Sequence, residues 1–386
     1  MEDNKSPSTV LGTPAGSPSP STPANQQQGQ QNPQPSPVRF NYMQDYVDNR
    51  FASDLAEFSK YKNRRTGFAN IDDQQWFYPG FYTVGGISSI GKTTMVHQLS
   101  EGLAENGSHV LYFSLEQSAF ELTAKSLARR INLQSKVDPS YRRFTALEIR
   151  MGHANGTREF TEQLTAFKNA VGNNFCVVQC NMSVTVEMII GYVREYMKAY
   201  PGIIPVVVID YLQIISPSEL GGRVLVDTKT NIDHIVHVLK AFQMETNTTI
   251  IAIASLNRGS YQTQVKFEAF KESGAIEYTS DCVWGLQLSI LESEDYNYTE
   301  DEKTGKRRPT TPEEKNDIIN EEKSEDIRRV QLVALKNRGG KPYYKAYFNY
   351  DPAYETFTPS DEKGNPYVPS TTFVPIDDED PDNPFA

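Results

Sequence analysis

The sequence has little cysteine and no long apolar run, and its first forty residues are almost free of aromatic side chains. Only three cysteines occur in 386 residues. Cys176, Cys180 and Cys282 make neither a disulfide framework nor, with five scattered histidines, the spacing of a metal site. Cys176 and Cys180 fall in an apolar, strand-like run and are expected as buried thiols. The longest apolar stretch is Ile203–Ile209, even counting Pro205. A bilayer needs roughly 20 such residues, so no membrane span is expected. The start of the chain, Met1-Glu2-Asp3 followed by Ser, Pro and Gln, lacks the basic and apolar regions of a secretory signal. These absences together give the expectation of a cytoplasmic protein. Residues 1–39 contain no Phe, Tyr or Trp but hold 8 of the 23 prolines. Too few apolar side chains are present to offset the entropy of ordering, so residues 1–38 are expected as a disordered tail.

What the chain does have is acid, with 49 Asp and Glu against 38 Lys and Arg, a net charge of −11. At first sight this excludes nucleic acid as a partner. The location of the charge changes that reading: residues 360–386 carry seven acids and Lys363 alone, a net −6, and residues 292–326 carry 13 acids against six bases, a net −7. Outside those two segments the charge is +2, so the acidity belongs to appendages.

From Asn41 to about Lys62, Met43, Tyr46, Val47, Phe51, Leu55 and Phe58 recur at mostly helical spacings, giving an amphipathic helix within residues 39–65. Its apolar face has to be buried on its own domain or on a neighbouring subunit. From residue 66 to 359, β-branched runs alternate with helical segments: Phe81–Val84, Gly91–Glu105, Val110–Leu115, Phe120–Arg130, Phe175–Gln179, Val186–Tyr200, Val206–Ile209, Asn231–Glu245 and Ile250–Ala254. That order implies an α/β fold, parallel strands joined by crossover helices. Beyond it, Cys282–Leu288, Arg329–Leu335 and Tyr343–Tyr350 read as antiparallel additions at one sheet edge. The charged segment 292–326, with Pro309 and Pro312, is expected as a mobile surface insertion, and residues 360–386 as an acidic disordered tail.

Gly86-Ile87-Ser88-Ser89-Ile90-Gly91-Lys92-Thr93 fits G-x-x-x-x-G-K-[ST], placed after a strand and opening a helix. The two glycines let successive backbone N–H groups curl toward one anion, and the helix N-terminus adds a positive dipole end. The nucleotide-binding stretch is therefore Gly86 through Thr94, with Lys92 reaching the β- and γ-phosphates of ATP and the Thr93 hydroxyl holding Mg²⁺. Asp210, at the end of the all-apolar run Val206–Ile209, supplies the second metal-side oxygen. In doubly wound sheets ligands gather at the carboxyl ends of strands, so Asp210 and the loop should converge. Glu116 follows another strand at the same edge. Two roles fit it: activating the water that attacks the γ-phosphate, or capping the helix that begins near Ser118.

Beside this loop stand Tyr112-Phe113-Ser114-Leu115-Glu116, Val208-Ile209-Asp210-Tyr211-Leu212-Gln213, Leu256-Asn257-Arg258, Glu272-Ser273-Gly274-Ala275-Ile276-Glu277 and Lys336-Asn337-Arg338-Gly339-Gly340. In this order, from about Thr66 to Pro359, they resemble the motifs of the DnaB-type replicative helicase C-terminal domain. The resemblance implies a RecA-like P-loop NTPase core, with a mostly parallel central sheet and antiparallel strands at its C-terminal edge. It also implies a six-membered ring that draws single-stranded DNA through its channel using ATP, with primase or a helicase loader as further partners. Carried over, Lys92 and Thr93 hold phosphate and Mg²⁺, Glu116 is the water-activating base, and Asp210 is the metal-side acid. Lys336 and Arg338 match the pair that enters the neighbouring subunit's ATP site, Arg338 as the finger; Asn337 and Gly339-Gly340 equally suit a hairpin tip. Lys271, Glu272 and Gly274 match the channel-facing DNA loop, Lys271 replacing the more usual Arg and giving a point-charge contact.

Two features depart from the family. Ser255 stands where a Gln usually senses the γ-phosphate, and a Pro/Ser/Gln-rich tail stands where the family has a globular N-terminal domain. The helix 43–58 resembles the family's linker helix, which docks on an adjacent subunit. Three functions fit: a ring-forming helicase or translocase of a replicating element such as a phage; a RecA-like DNA-dependent ATPase that does not unwind; or an ATP-bound scaffold.

Overall fold

The computed structural model describes residues 42–220, 223–224, 227–270, 274–301 and 305–369; the expected tail 1–38 lies outside them. The chain divides into two units, residues 1–53 and 54–386. Among the described residues of the first is the helix Met43–Asn49, which ends at Arg50, whose φ/ψ of −134°/−34° leave the helical region. A second helix, Phe51–Ser59, follows. The single helix expected from periodicity is therefore two. Met43, Val47, Phe51 and Leu55 are all exposed.

The second unit is built on nine strands: β1 Phe81–Gly86, β2 Val110–Ser114, β3 Phe175–Gln179, β4 Val206–Asp210, β5 Thr249–Ser255, β6 Cys282–Leu288, β7 Arg328–Asn337, β8 Lys345–Asp351 and β9 Thr356–Ser360. Their order in one sheet is β9-β8-β7-β6-β1-β5-β4-β2-β3. The first six run parallel, and β7, β8 and β9 add antiparallel. Cys282–Leu288 is thus not one of the antiparallel additions: it lies parallel beside β1. Its seven residues are all buried, as a strand covered on both faces requires.

Alternation along the strands fills both layers. Val206 and Val208 join Met95, Leu99 and Leu103 of the helix Lys92–Glu105. Val207 and Ile209 join Ile189 and Val193 of the helix Val186–Ala199 and Ile235 and Leu239 of the helix Thr228–Thr246. A third cluster sits under the helix Ala119–Val137, around Leu127, Ile131 and Phe144. None of the described helices is long and apolar enough to cross a membrane.

Three further expectations are corrected. Segment 292–326 carries a helix at Glu294–Asn297, a hairpin of Tyr298–Glu300 with Arg307–Pro309, and a helix at Pro312–Ser324. It sends Tyr296 and Ile319 into the main core; Arg307 pairs with Glu294 and Arg308 with Glu314 inside it, and Glu292 pairs with Lys345 of β8 at 2.6 Å. Residues 361–369 return to the domain: Asn349 donates to the Gly364 carbonyl at 2.8 Å, and Tyr367 to Asp73 at 2.7 Å. Cys176 is exposed and Cys180 half-buried, because β3 is the outermost strand on its side.

Beneath the helix Lys92–Glu105, Glu101 accepts from Ser126 and Arg129, all of them buried. Burial pushes the neighbouring His97 imidazole down to about 4, with Arg129 and Lys125 adding to the effect and Glu101 opposing it. The unfolded chain, with an ordinary imidazole near 6.5, therefore binds more protons than the folded one between those values. That stability is fully present above pH about 6.5 and is lost as pH falls toward about 4. Urea titrations at pH 7 and pH 5 should show a clear loss of unfolding free energy at the lower pH, and His97→Gln should reduce the difference.

Candidate functional site

Parallel register brings the expected residues to one edge. Gly86 is opposite Ser255 across β1 and β5, and Ser114 is opposite Asp210 across β2 and β4. β1 therefore delivers the loop Gly86–Gly91, β2 delivers Glu116, β4 delivers Asp210 and β5 delivers Ser255, all at strand carboxyl ends. Between them lies a cleft of about 440 Å³ lined by Ser88, Ser89, Gly91 to Thr94, Glu116, Asp210 and Ser255. Gly86, Ile87 and Ile90 shape the loop from behind, buried or nearly so.

The loop turns through the left-handed region twice, at Ser89 (φ 62°) and Gly91 (φ 98°). At Gly91 only glycine fits, since a Cβ there would sit 2.8 Å from Phe357 Cζ and 2.9 Å from Tyr350 Cε1. Those two rings are stacked, with centroids 4.1 Å apart. Past Gly91 the helix Lys92–Glu105 begins with its N-terminal N–H groups at the cleft, the arrangement that suits an anion.

Asp210 is buried, and its carboxylate accepts from Tyr112 Oη at 2.8 Å and from Thr93 Oγ1 at 3.2 Å. Burial raises its pKa, with Tyr112 and Thr93 opposing the rise. Burial likewise lowers the Lys92 pKa, opposed by Asp210 and Glu116, and Lys92 Nζ donates to the Ile87 carbonyl at 2.9 Å. Glu116 does not cap the helix behind it. Ser118 and Glu121 form a reciprocal capping box at Ala119–Val137, which leaves Glu116 exposed at the cleft.

The remaining expected residues lie elsewhere. Lys336 and Arg338 do not line the cleft. Lys336 Nζ donates to the Glu277 carbonyl at 2.7 Å, and Arg338 pairs with Asp281 at 2.9 Å, the carboxylate that Lys240 also holds at 2.6 Å. Gly274 is exposed at the start of the helix Gly274–Thr279, while Lys271 and Glu272 fall outside the described residues.

A profile of the DnaB-like helicase C terminal domain matches residues 65–358. The chain belongs to this family. Among curated relatives of the family, it is 27% identical to the replicative DNA helicase DnaC of Bacillus subtilis over 56% of its own length and 45% of the relative's. It is 24% identical to the replicative DNA helicase DnaB of Helicobacter pylori over 71% and 55%. The chain thus spans about half the length of the curated relatives it matches. Its fold is similar to that of a solved ATPase domain, with a TM-score of 0.61 and 18% identity over 82% of this chain and 99% of that one. It is also similar to a DnaB-like replicative helicase whose structure describes its interactions with primase, with a TM-score of 0.59 and 19% identity over 82% and 68%.

Several lining residues carry no local sequence signal. Glu355 bonds the Thr94 hydroxyl and pairs with Lys125 at 3.1 Å, and Tyr261 enters from the segment after β5. They lie far apart along the chain and meet only through the fold. For the cleft itself, Gly91→Ala should weaken binding of a fluorescent ATP analogue by about tenfold or more, because the loop must leave its left-handed turn. Fluorescence titration measures this, with circular dichroism as the control for folding.

Proposed function

We propose that this chain is the ATP-driven motor of a ring-forming helicase that moves along single-stranded DNA during replication. The observation that carries the reading is the meeting of Lys92, Thr93, Asp210 and Glu116 in one cleft while Lys336 and Arg338 stand outside it. A complete ATPase site on this plan needs the basic pair from a second copy of the chain. The ring, with six copies by family likeness, follows from that need; the helices Met43–Asn49 and Phe51–Ser59, with Met43, Val47, Phe51 and Leu55 each exposed, dock on a neighbouring subunit.

Each group has one task. The backbone N–H groups of the loop through Thr94 hold the phosphates, and Lys92 neutralises the charge on the β- and γ-phosphates. Thr93 and Asp210 fit Mg²⁺: their oxygens are 3.2 Å apart beside the loop. Among the described residues no cluster of three or more His, Cys, Asp or Glu offers an all-protein cage, so Mg²⁺ here would depend on phosphate oxygens and water for its other ligands. When bound, Mg²⁺ neutralises phosphate charge. Tyr112 keeps the Asp210 carboxylate aimed. Glu116, free of the capping role, takes the proton of the attacking water, and Arg338 of the adjacent subunit stabilises the charge that develops.

The DNA-facing group is Lys271 with Glu272 and Gly274, in the motor domain 66–359. Repetition around a ring makes one lysine per subunit a sufficient charge for a strand in the channel. Of the two expected tails, residues 1–38 and the stretch 370–386 lie outside the described residues; primase or a loader is the further partner, and the compartment is the cytoplasm. Ser255 favours a second reading, a DNA-dependent ATPase that hydrolyses without unwinding, because its hydroxyl is shorter than the Gln expected there.

ATPase and forked-duplex displacement assays on one preparation test the proposal. DNA-stimulated hydrolysis with displacement is expected, and hydrolysis alone supports the second reading. Glu116→Gln should retain ATP affinity within about twofold while turnover falls by on the order of 10²–10⁴; unchanged turnover would reject Glu116 as the base. Arg338→Ala should lower turnover by on the order of 10³ or more and leave single-subunit nucleotide affinity unchanged.

A further inference from the structure

The segment Leu256–Phe270 touches the strand and loop that bind phosphate at two points. At its far end the Phe270 ring packs on Gly85, where even a Cβ would lie 2.3 Å from the ring. Nearer its start, Tyr261 lines the cleft with Ser88, Lys92, Glu116 and Ser255, and the Ser88 N–H points at the Tyr261 hydroxyl oxygen at 3.5 Å, the outer limit of a hydrogen bond. The segment is closed at its base: Asn257 N–H donates to the Ala269 carbonyl at 3.1 Å, and its side-chain amide to that of Glu268 at 3.3 Å. It is also braced from outside by segment 292–326. Gln262 donates to the Pro312 carbonyl and to Asn316, at 2.9 and 2.7 Å, and Tyr296 donates to the Gln262 carbonyl at 2.7 Å. Lys323 stands 5.9 Å from the Tyr261 ring centroid.

A phenol can accept from a backbone N–H and donate its own proton to an anion at the same time. The carboxylates of Glu116 and Asp210, when ionised, only accept; Lys125 is held by Glu355; and the Ser255 hydroxyl is carried on a single methylene. Tyr211 and Tyr350 also line the cleft, Tyr350 stacked on Phe357; Tyr261 is the long-reaching neutral donor carried on this closed and braced segment, against the Ser88 N–H. We propose that the Tyr261 hydroxyl reads the terminal phosphate of a bound nucleoside triphosphate, doing from Leu256–Phe270 what the short Ser255 side chain does not reach to do. The inference rests on the ATP site proposed above.

The test uses the full chain and its Tyr261→Phe variant, which keeps the ring and its packing and loses only the hydroxyl. Affinities for fluorescent ADP and for a fluorescent non-hydrolysable ATP analogue are measured for both. The expected result is an ADP affinity unchanged within about twofold and a triphosphate affinity lowered about tenfold, the effect of one hydrogen bond to a charged acceptor. Equal affinities for the variant and the parent overturn the proposal, as does a parallel loss for both nucleotides, which marks a structural role. If the unaltered chain binds neither nucleotide, the ATP site itself falls and this inference with it.

Discussion

Asp210 closes a strand of four aliphatic residues and is almost fully removed from water. A carboxylate in that position must find donors or lose its charge, since leaving it unpaired costs several kcal/mol. Its donors come from two other elements: the Tyr112 hydroxyl from β2 and the Thr93 hydroxyl from the first turn after the phosphate loop. One buried group therefore ties β2, β4 and the loop–helix junction to one another, and the cleft has its shape because those three are tied. The parallel register extends the constraint to Glu116 and Ser255, which arrive at the same edge on β2 and β5.

Much of this was legible in the sequence. Unbroken apolar runs such as Val206–Ile209 occur where a strand is covered on both faces, and a G-x-x-x-x-G-K-T loop fixes its own context of strand and helix. Lys92, Thr93 and Asp210 follow from those two signals, Glu116 from the end of the strand before it and Ser255 from the resemblance to the family, and all five lie together in the cleft. The misreadings share a cause, namely that local texture does not encode what lies alongside. Cys282–Leu288 resembles its antiparallel neighbours in composition, yet it pairs parallel with β1. Cys176 sits in an apolar run, yet β3 is outermost on its side. Segment 292–326 is charged enough to suggest an unanchored insertion, but Tyr296 and Ile319 fasten it to the core.

What stayed hidden in the cleft are polar residues that meet over long sequence distances. Glu355 follows β8 and reaches Thr94 and Lys125; Tyr261 follows β5 and reaches Ser88. Neither belongs to a spacing motif, because each is delivered by an element whose position only the packed sheet defines. The same holds for Arg338. Its motif is readable, but its place outside the cleft, on Asp281, is a property of the strand order, and the role proposed for the basic pair requires a second copy of the chain beside it.

Electron microscopy of the full chain with a non-hydrolysable ATP analogue and a single-stranded oligonucleotide tests that requirement most directly. The account predicts a closed ring with the strand in its channel and Arg338 of each subunit facing the Lys92 loop of the next. Monomers, or a ring in which Arg338 stays on Asp281 away from any neighbouring cleft, would contradict it.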